Sequence, residues 1–182
     1  MKSYFIQYKP FLEFLLKFFL SYIILTLVYQ FYLNRFDEKA LEVDSITEMV
    51  ARQTQQTVQF FGYQSKNLPH ETQNSIKLFV ENKFVARVVE GCNAFSVIIL
   101  FIAFVIAFKG KFKKTLLFIL IGSVLIYVLN IIRIAVIAIA LFHYPEYEHI
   151  LHGVVFPLLI YGVVFLLWVV WVNKYSIYGQ KK

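Results

Sequence analysis

Apolar residues are concentrated in four stretches of the 182-residue chain, separated by shorter polar segments. The stretches are residues 11–33, 92–108, 115–142 and 153–172. As helices, which rise roughly 1.5 Å per residue, they are long enough to cross about 30 Å of hydrocarbon. Glu13 and Lys17 move the start of the apolar part of the first stretch to Phe18. The pattern predicts an all-α polytopic membrane protein with four transmembrane helices.

The segment between the first two stretches, residues 34–91, has a different pattern. Between residues 37 and 60, apolar positions recur at spacings of three, four and seven, which predicts an amphipathic helix that ends near Gly62. A polar stretch with Pro69 follows. Residues 75–80 and 83–89 are two β-rich runs that predict a hairpin leading into Cys92. We therefore expect a small α+β segment between membrane helices 1 and 2.

Composition supports a membrane protein and the lysines predict its orientation. The chain is 59% hydrophobic with a mean hydropathy of +0.65, which is more apolar than a soluble domain of this size can bury. Lysines cluster before the first stretch, after the second and after the fourth: Lys2, Lys9, Lys109, Lys111, Lys113, Lys114, Lys174, Lys181 and Lys182. With four helices, all of them fall on one side. The positive-inside rule makes that side the cytoplasm, with both termini inside and residues 34–91 outside.

The net charge of +7 is mostly this orientation signal, because residues 34–91 hold seven Lys or Arg against eight Asp or Glu. We therefore expect the lipid bilayer, and no nucleic acid, as a partner. The first stretch lacks the small-x-small site of a cleaved signal peptide and predicts a permanent anchor. Three parts are expected: a cytoplasmic N-terminus and anchor helix (1–33), the extracytoplasmic segment (34–91), and a three-helix catalytic membrane core with a cytoplasmic tail (92–182).

Three chemically notable residues in separate apolar stretches are predicted to lie at a similar depth. Counted from the lysines at the inner boundary, Cys92 is 17 residues away, Arg133 is 19 and His152 is 22. Helical rise converts these counts to roughly 26–33 Å. We therefore expect a thiol, a guanidinium and an imidazole near the outer interface.

Each of these residues also has a structural interpretation. A lone cysteine in an apolar stretch is commonly a small buried hydrophobe, although Cys92 follows Glu90-Gly91 at a helix N-terminus, which favours a thiolate. Arg133 is costly in hydrocarbon unless it snorkels to the headgroups or faces protein or water. Asn130 lies one turn before it on the same face, so the two together predict a polar face inside a helix bundle.

The histidines His143, His149 and His152 are close together in sequence. His149 and His152 are three residues apart and share a helical face, with Glu146 and Glu148 nearby, so a zinc site is conceivable. The His-Glu-x-x-His pattern is absent, and we predict no metal and no cofactor. We interpret His143 as part of a solvated interfacial loop.

Thiolate chemistry needs a nearby base or cation and a donor for the developing oxyanion. The thiol, guanidinium and imidazole of Cys92, Arg133 and His152 together supply both.

Short motifs around these residues resemble the exosortases, polytopic bacterial membrane proteins with a Cys, Arg and His triad. The motifs are Glu90-Gly91-Cys92-Asn93, Asn130-Ile-Ile-Arg133-Ile and His152-Gly153. The resemblance is closest to the exosortase F type and covers residues 85–172. Many exosortases have Gly within two residues after the Cys and contain more spans, whereas Asn93-Ala94-Phe95 follows Cys92 here. This departure from the family pattern bears more on which substrate is recognised than on membership of the family.

The resemblance implies a cysteine transpeptidase of the bacterial cytoplasmic membrane. Its protein substrates carry a C-terminal sorting tail, made of a short motif, a transmembrane helix and a basic end, which is cut at the outer face of the membrane. By carry-over, Cys92 is the nucleophile, His152 the general acid/base, and Arg133 the group that stabilises the thiolate or oxyanion. Asn130, His149 and Glu90 are supporting candidates.

Other classes of function also fit parts of the pattern. A non-enzymatic membrane subunit or assembly factor would use the 34–91 segment as its contact surface and leave Cys92 inert. A transporter fits less well, because no broken helices or inverted halves are visible. The substrate motif, the acceptor that releases the product and the oligomeric state are left open.

Overall fold

The computed structural model describes residues 2–37 and 40–176, with the side chains of all of them except residues 2–7, 152 and 156. Its elements follow one another along the chain as α1 (Lys2–Leu33), α2 (Ser45–Phe60), β1 (Ser65–Pro69), β2 (Ile76–Val80), β3 (Lys83–Val88), α3 (Phe95–Ala107), α4 (Phe112–His143), α5 (Glu148–Ile150) and α6 (Phe156–Val170). The described part of the chain is therefore mostly helical, with one small sheet.

Three helical segments are long and apolar enough to cross a membrane. They are Tyr8–Leu33 within α1, the whole of α4, and Pro145–Tyr175, which contains α5 and α6. The protein is therefore a polytopic membrane protein. The second apolar stretch forms only the 13-residue helix α3, about 20 Å long at helical rise. Because this is shorter than the hydrocarbon, the fourth span stays a prediction.

The short helix α3 lies between the longer ones. Phe14 of α1 packs against Phe104 and Phe108 of α3, with ring centroids 5.8 and 4.7 Å apart. Elsewhere α3 meets α4 and α6 in a cluster of buried side chains: Ala94, Ile98, Phe101, Val105, Ile126, Ile160, Val164 and Trp171. Gly122 of α4 lies directly against the Phe101 ring. The close packing at this point leaves no room for a larger side chain.

The amphipathic helix predicted between residues 37 and 60 is present but begins later, at Ser45. Asp44 caps it, because its Oδ1 accepts from the Ile46 and Thr47 N–H groups at 3.1 and 3.0 Å. The start predicted at residue 37 is therefore wrong by about two turns. The end is confirmed: α2 stops at Phe60, and Gly62 adopts a φ of +91° that suits glycine.

The predicted hairpin is confirmed as β2 and β3, an antiparallel pair joined by Glu81 and Asn82. Both turn residues have positive φ, 49° and 64°, as tight hairpin turns require. A third strand, β1, pairs antiparallel with β2 at the edge of the sheet. The strand β1 is not predicted by the sequence pattern, because Ser65–Pro69 is mostly polar and does not alternate.

The sheet and α2 pack together onto the C-terminal half of α4. One cluster joins Val58, Leu78 and Val80 to Ala135 and Ala138 of α4. Another joins side chains of α2, β2 and β3 to α4: Val50, Ala51, Ile76, Val88 and Ile134. The 34–91 segment therefore packs on a membrane helix, with β3 in contact with α4.

The last helical segment is irregular near its start. Glu148–Ile150 forms a single turn, Leu151–Val155 is π-helical, and regular α-helix begins at Phe156. Pro157 has no N–H to donate to the carbonyl one turn earlier, which accounts for a break in the regular helix at this point. Such π turns are frequent at functional sites, and residue 152 lies within this one.

Candidate active site

Cys92 lies in a tight turn between β3 and α3. Glu90–Cys92 form one 3-10 turn, in which the Cys92 N–H donates to the Val89 carbonyl at 2.8 Å. Ala94 then adopts a left-handed conformation, with φ of 66°, and caps α3. The thiol is free and its residue half-buried. Cys92 thus lies two residues before Ala94, the residue that caps the N-terminus of α3.

Asn130 of α4 reaches this turn directly. Its Nδ2 donates to the Cys92 carbonyl oxygen at 2.7 Å, and its side chain is only 2% exposed. An amide buried to this degree requires a partner, and the cysteine backbone provides it. The structure therefore brings the Cys92 turn and the Asn130-to-Arg133 face of α4 together.

Arg133 lies one turn after Asn130 and is half-buried. Its Nε is buried without a hydrogen-bond partner among the described residues, although Cys92 and Tyr161 are within electrostatic range of the guanidinium. A buried donor without a partner is costly. The guanidinium therefore has hydrogen-bonding capacity to offer a thiolate, or an oxygen that becomes charged close to Cys92.

The side chain of His152 lies outside the described residues, so its predicted meeting with Cys92 and Arg133 stays a prediction. The neighbouring Leu151 packs against Ile137 and Leu141 of α4. These residues lie one to two turns beyond Arg133, a difference of about 6–12 Å at helical rise. Leu151, the residue before His152, thus packs farther along α4 than the position of Arg133 in the helix.

Two other predicted residues have clear surroundings. His149 is exposed, and no described contact joins it to the Cys92 turn. His143 ends α4, and its Nε2 is 2.9 Å from the Tyr63 hydroxyl, so it fastens the 34–91 segment to α4. Among the side chains that the structure describes, no group of three or more His, Cys, Asp or Glu is placed to hold a metal ion.

Glu90, a predicted supporting residue, lines a recess beside the Cys92 turn. The recess has a volume of about 580 Å³ and lies at the junction of α1, α2 and the turn, lined by Gln30, Leu33, Asn34, Phe36, Glu42, Val43, Asp44, Asn74 and Glu90. Val43 also packs in the same apolar cluster as Cys92. The size of the recess falls within the range of ligand pockets, and Glu90, two residues before Cys92, is the lining residue nearest to the cysteine in sequence.

Sequence reasoning missed a buried polar group next to the cysteine. Asn93 donates through Nδ2 to the Tyr29 hydroxyl at 2.8 Å and to Thr47 Oγ1 at 3.2 Å. These partners come from α1 and α2, far away in the chain. The one signal available was that Asn93 directly follows the only cysteine; nothing in the apolar pattern singles out Tyr29 or Thr47.

Comparison with known protein families gives one match. The transmembrane exosortase family matches residues 9–172, which is most of the chain. The protein belongs to the transmembrane exosortases. Membership supports a membrane transpeptidase-type role, in agreement with the general resemblance found in the sequence. No curated protein and no solved structure shows significant similarity to this exosortase, and its subtype within the family is not determined by the match.

Proposed function

We propose that this exosortase is a cysteine transpeptidase that cuts the C-terminal sorting tail of exported proteins through a thioester on Cys92. The observation that carries the proposal is the contact between the nucleophile turn and α4. Asn130 binds the Cys92 backbone, and the Arg133 guanidinium lies one turn away with a buried N–H free among the described residues. A sulfur and a fixed positive charge in proximity are what thiolate chemistry requires.

In the proposed reaction, the Cys92 sulfur attacks the carbonyl carbon of the scissile peptide. Charge develops on the carbonyl oxygen, and Arg133 stabilises it by a charge-assisted hydrogen bond. The C–N bond then breaks, and His152 protonates the departing amine. The remaining acyl group stays on the sulfur as a thioester until a second nucleophile, water or an amine, displaces the thiolate and releases the product.

The proposed location of this chemistry is the outer face of the bacterial cytoplasmic membrane. The lysine-rich residues 109–114, which link α3 to α4 and form the first turn of α4, belong on the cytoplasmic side by the positive-inside rule, and Cys92 is at the opposite end of α3. A substrate helix in the bilayer would present its outer end at this level. The recess at Glu90 then offers room for the extended chain that precedes the tail.

Replacement of Cys92 tests the proposal. In cells, the C-terminal tail of a co-produced substrate protein is followed by mass spectrometry in strains with the normal chain, Cys92→Ala or Cys92→Ser. We expect tail removal to stop in both variants, because neither side chain supplies a thiolate. Ser123→Ala is the matched control, since it changes a small polar side chain within α4 away from the site. Unchanged tail removal in Cys92→Ala contradicts the assignment.

A second candidate function is favoured by two exposed aromatic residues at the end of α2. Phe60 is 86% exposed and Phe61 is 50% exposed, which suits a contact surface on a non-enzymatic membrane subunit. In that case Cys92 would be inert. Thiol labelling from the outer side separates the two functions: a reactive cysteine that slows when Arg133 is replaced supports the enzyme, and an unreactive one supports the subunit.

A further inference from the structure

Asn93 is only 1% exposed, and both the amide nitrogen and the carbonyl oxygen of its side chain form hydrogen bonds. Its amide donates to the Tyr29 hydroxyl and to Thr47 Oγ1, and its Oδ1 accepts from the Phe95 N–H at 2.9 Å. Both partner side chains are buried as well. One asparagine therefore connects α1, α2 and the first turn of α3 through satisfied buried bonds, a combination that rigidifies its surroundings.

The backbone that directly follows Cys92 is held by these bonds. Asn130 of α4 donates to the Cys92 carbonyl, and the side chain of the next residue, Asn93, is bound by Tyr29 of α1 and Thr47 of α2. The left-handed Ala94 follows at once. Such a conformation strains a residue other than glycine and persists only when its surroundings impose it. The bonds of Asn93 and the buried position of Ala94 provide those surroundings.

This arrangement has a consequence for the thiol. A cysteine in a loop would ordinarily share the loop's motion, and a displacement of 1 Å at a reacting centre can cost about 100-fold in rate. With two consecutive residues tied to four helices, the sulfur has a defined place relative to Arg133. We propose that Asn93 is a positioning residue for Cys92, held by Tyr29 and Thr47, so that the first membrane helix and the helix of the 34–91 segment are parts of the catalytic site.

The inference rests on the proposed role of Cys92 and assigns a purpose to α2 beyond contact with partners. The positioning role also explains why the described residues of α1 and α2 include buried polar side chains within an apolar interface. Tyr29 stacks on Phe95 with centroids 5.7 Å apart, so its hydroxyl is itself fixed. Glu90 and Asp44 lie within electrostatic range of that hydroxyl.

The test removes single hydroxyls, because loss of Asn93 itself risks misfolding. Tyr29→Phe and Thr47→Val each delete one acceptor of the Asn93 amide, while Thr47→Ser keeps the hydroxyl. Tyr32→Phe is the matched control: it is on the same helix and loses a similar bond to α2, since the Tyr32 hydroxyl accepts from the Ile46 N–H at 3.3 Å, but it does not touch Asn93. All are made in the full-length chain.

Two readouts are measured on each variant. The first is tail removal in cells, and the second is the rate of alkylation of the single cysteine by N-ethylmaleimide across a range of pH in purified protein. We expect Tyr29→Phe and Thr47→Val to lower tail removal about tenfold and to move the pH profile of alkylation. Thr47→Ser and Tyr32→Phe should behave as the unmodified chain in both readouts.

The positioning role is overturned if Tyr29→Phe and Thr47→Val match Tyr32→Phe in both readouts, or if Thr47→Ser loses as much as Thr47→Val. Failure of the proposed function gives a different result. In that case Cys92→Ala keeps tail removal, while the alkylation profile still reports whether Asn93 and its partners fix the thiol. Thermal unfolding detects a general loss of stability. A merely structural role would lower the unfolding temperature equally in Tyr29→Phe and Tyr32→Phe.

Discussion

Around Cys92 the chain is fixed by buried hydrogen bonds, whereas around residue 152 the chain is exposed and its helix is irregular. Tyr29, Thr47 and Asn130, from three helices, bind the turn that contains Cys92 and Asn93. In contrast, Ile150 and Val154 are 53% and 57% exposed, and Gly153 faces open space. The fold therefore holds the proposed nucleophile in place, whereas the proposed acid/base lies on a segment with few packing contacts.

The largest expected effect concerns the irregular segment. His152→Ala should slow tail removal about 10²–10⁴-fold, because general acid–base catalysis contributes about that much. His149→Ala should have little effect, since His149 is exposed and has no described contact with the Cys92 turn. Tail length in cells measures both. A greater loss in His149→Ala than in His152→Ala would transfer the acid/base role to His149.

At the Cys92 turn, Asn130→Ala should lower the rate of tail removal about 10- to 100-fold. The substitution frees the Cys92 carbonyl and leaves it buried without its donor, which also costs about 1–3 kcal/mol of stability. Tail removal is compared at equal protein level with the control Ser123→Ala, on the same helix. A normal rate in Asn130→Ala would show that the bond to Cys92 does not position the thiol.

A pair of glycines compares the packing of the two regions. Gly122→Ala should destabilise the protein by about 1–3 kcal/mol, because the added methyl group meets the buried Phe101 ring and overpacks the interface. Gly153→Ala should be neutral or slightly stabilising, since the space is open and alanine favours helix. Thermal unfolding in detergent, followed by circular dichroism, checks both. Equal losses would contradict the contrast in packing.

The smallest effect is expected at the sheet, far from the site. Lys77 lies 2.5 Å from Glu71 and holds the pKa of the Glu71 carboxyl below its ordinary value of 4.5. The depressed pKa means that this pair stabilises the fold above about pH 4.5 and that its contribution is lost as the pH falls further. Because Glu71 is fully exposed, Glu71→Gln should leave the unfolding temperature unchanged at pH 7. A clear fall would show a larger role for the pair.

Much of the fold could be predicted from the sequence, because it depends on local pattern. The apolar stretches, the amphipathic α2 and the β2–β3 hairpin all follow from periodicity and turn residues. The start of α2 could not be predicted so well, because the apolar spacing continues to residues before Asp44. Only the Asp44 cap sets the first residue of the helix. The strand β1 depends on pairing with β2 and has no pattern of its own.

The candidate site was predictable in its residue types but not in its contacts. Cys92 and Arg133 are conspicuous in apolar surroundings, and Asn130 follows from helical spacing. Counting depth along each helix could not show that Asn130 bonds to the cysteine backbone. Nor could it find Tyr29 and Thr47, which are ordinary residues for their elements and gain importance only because the fold places them against Asn93.

The pH dependence of Cys92 alkylation shows whether Cys92 and Arg133 act together. The rate with N-ethylmaleimide is measured in the unmodified chain, Arg133→Lys and Arg133→Gln. We predict that the unmodified profile lies at lower pH than that of Arg133→Gln, because the guanidinium stabilises the thiolate, with Arg133→Lys between them. Coincident profiles for the unmodified chain and Arg133→Gln would contradict the account.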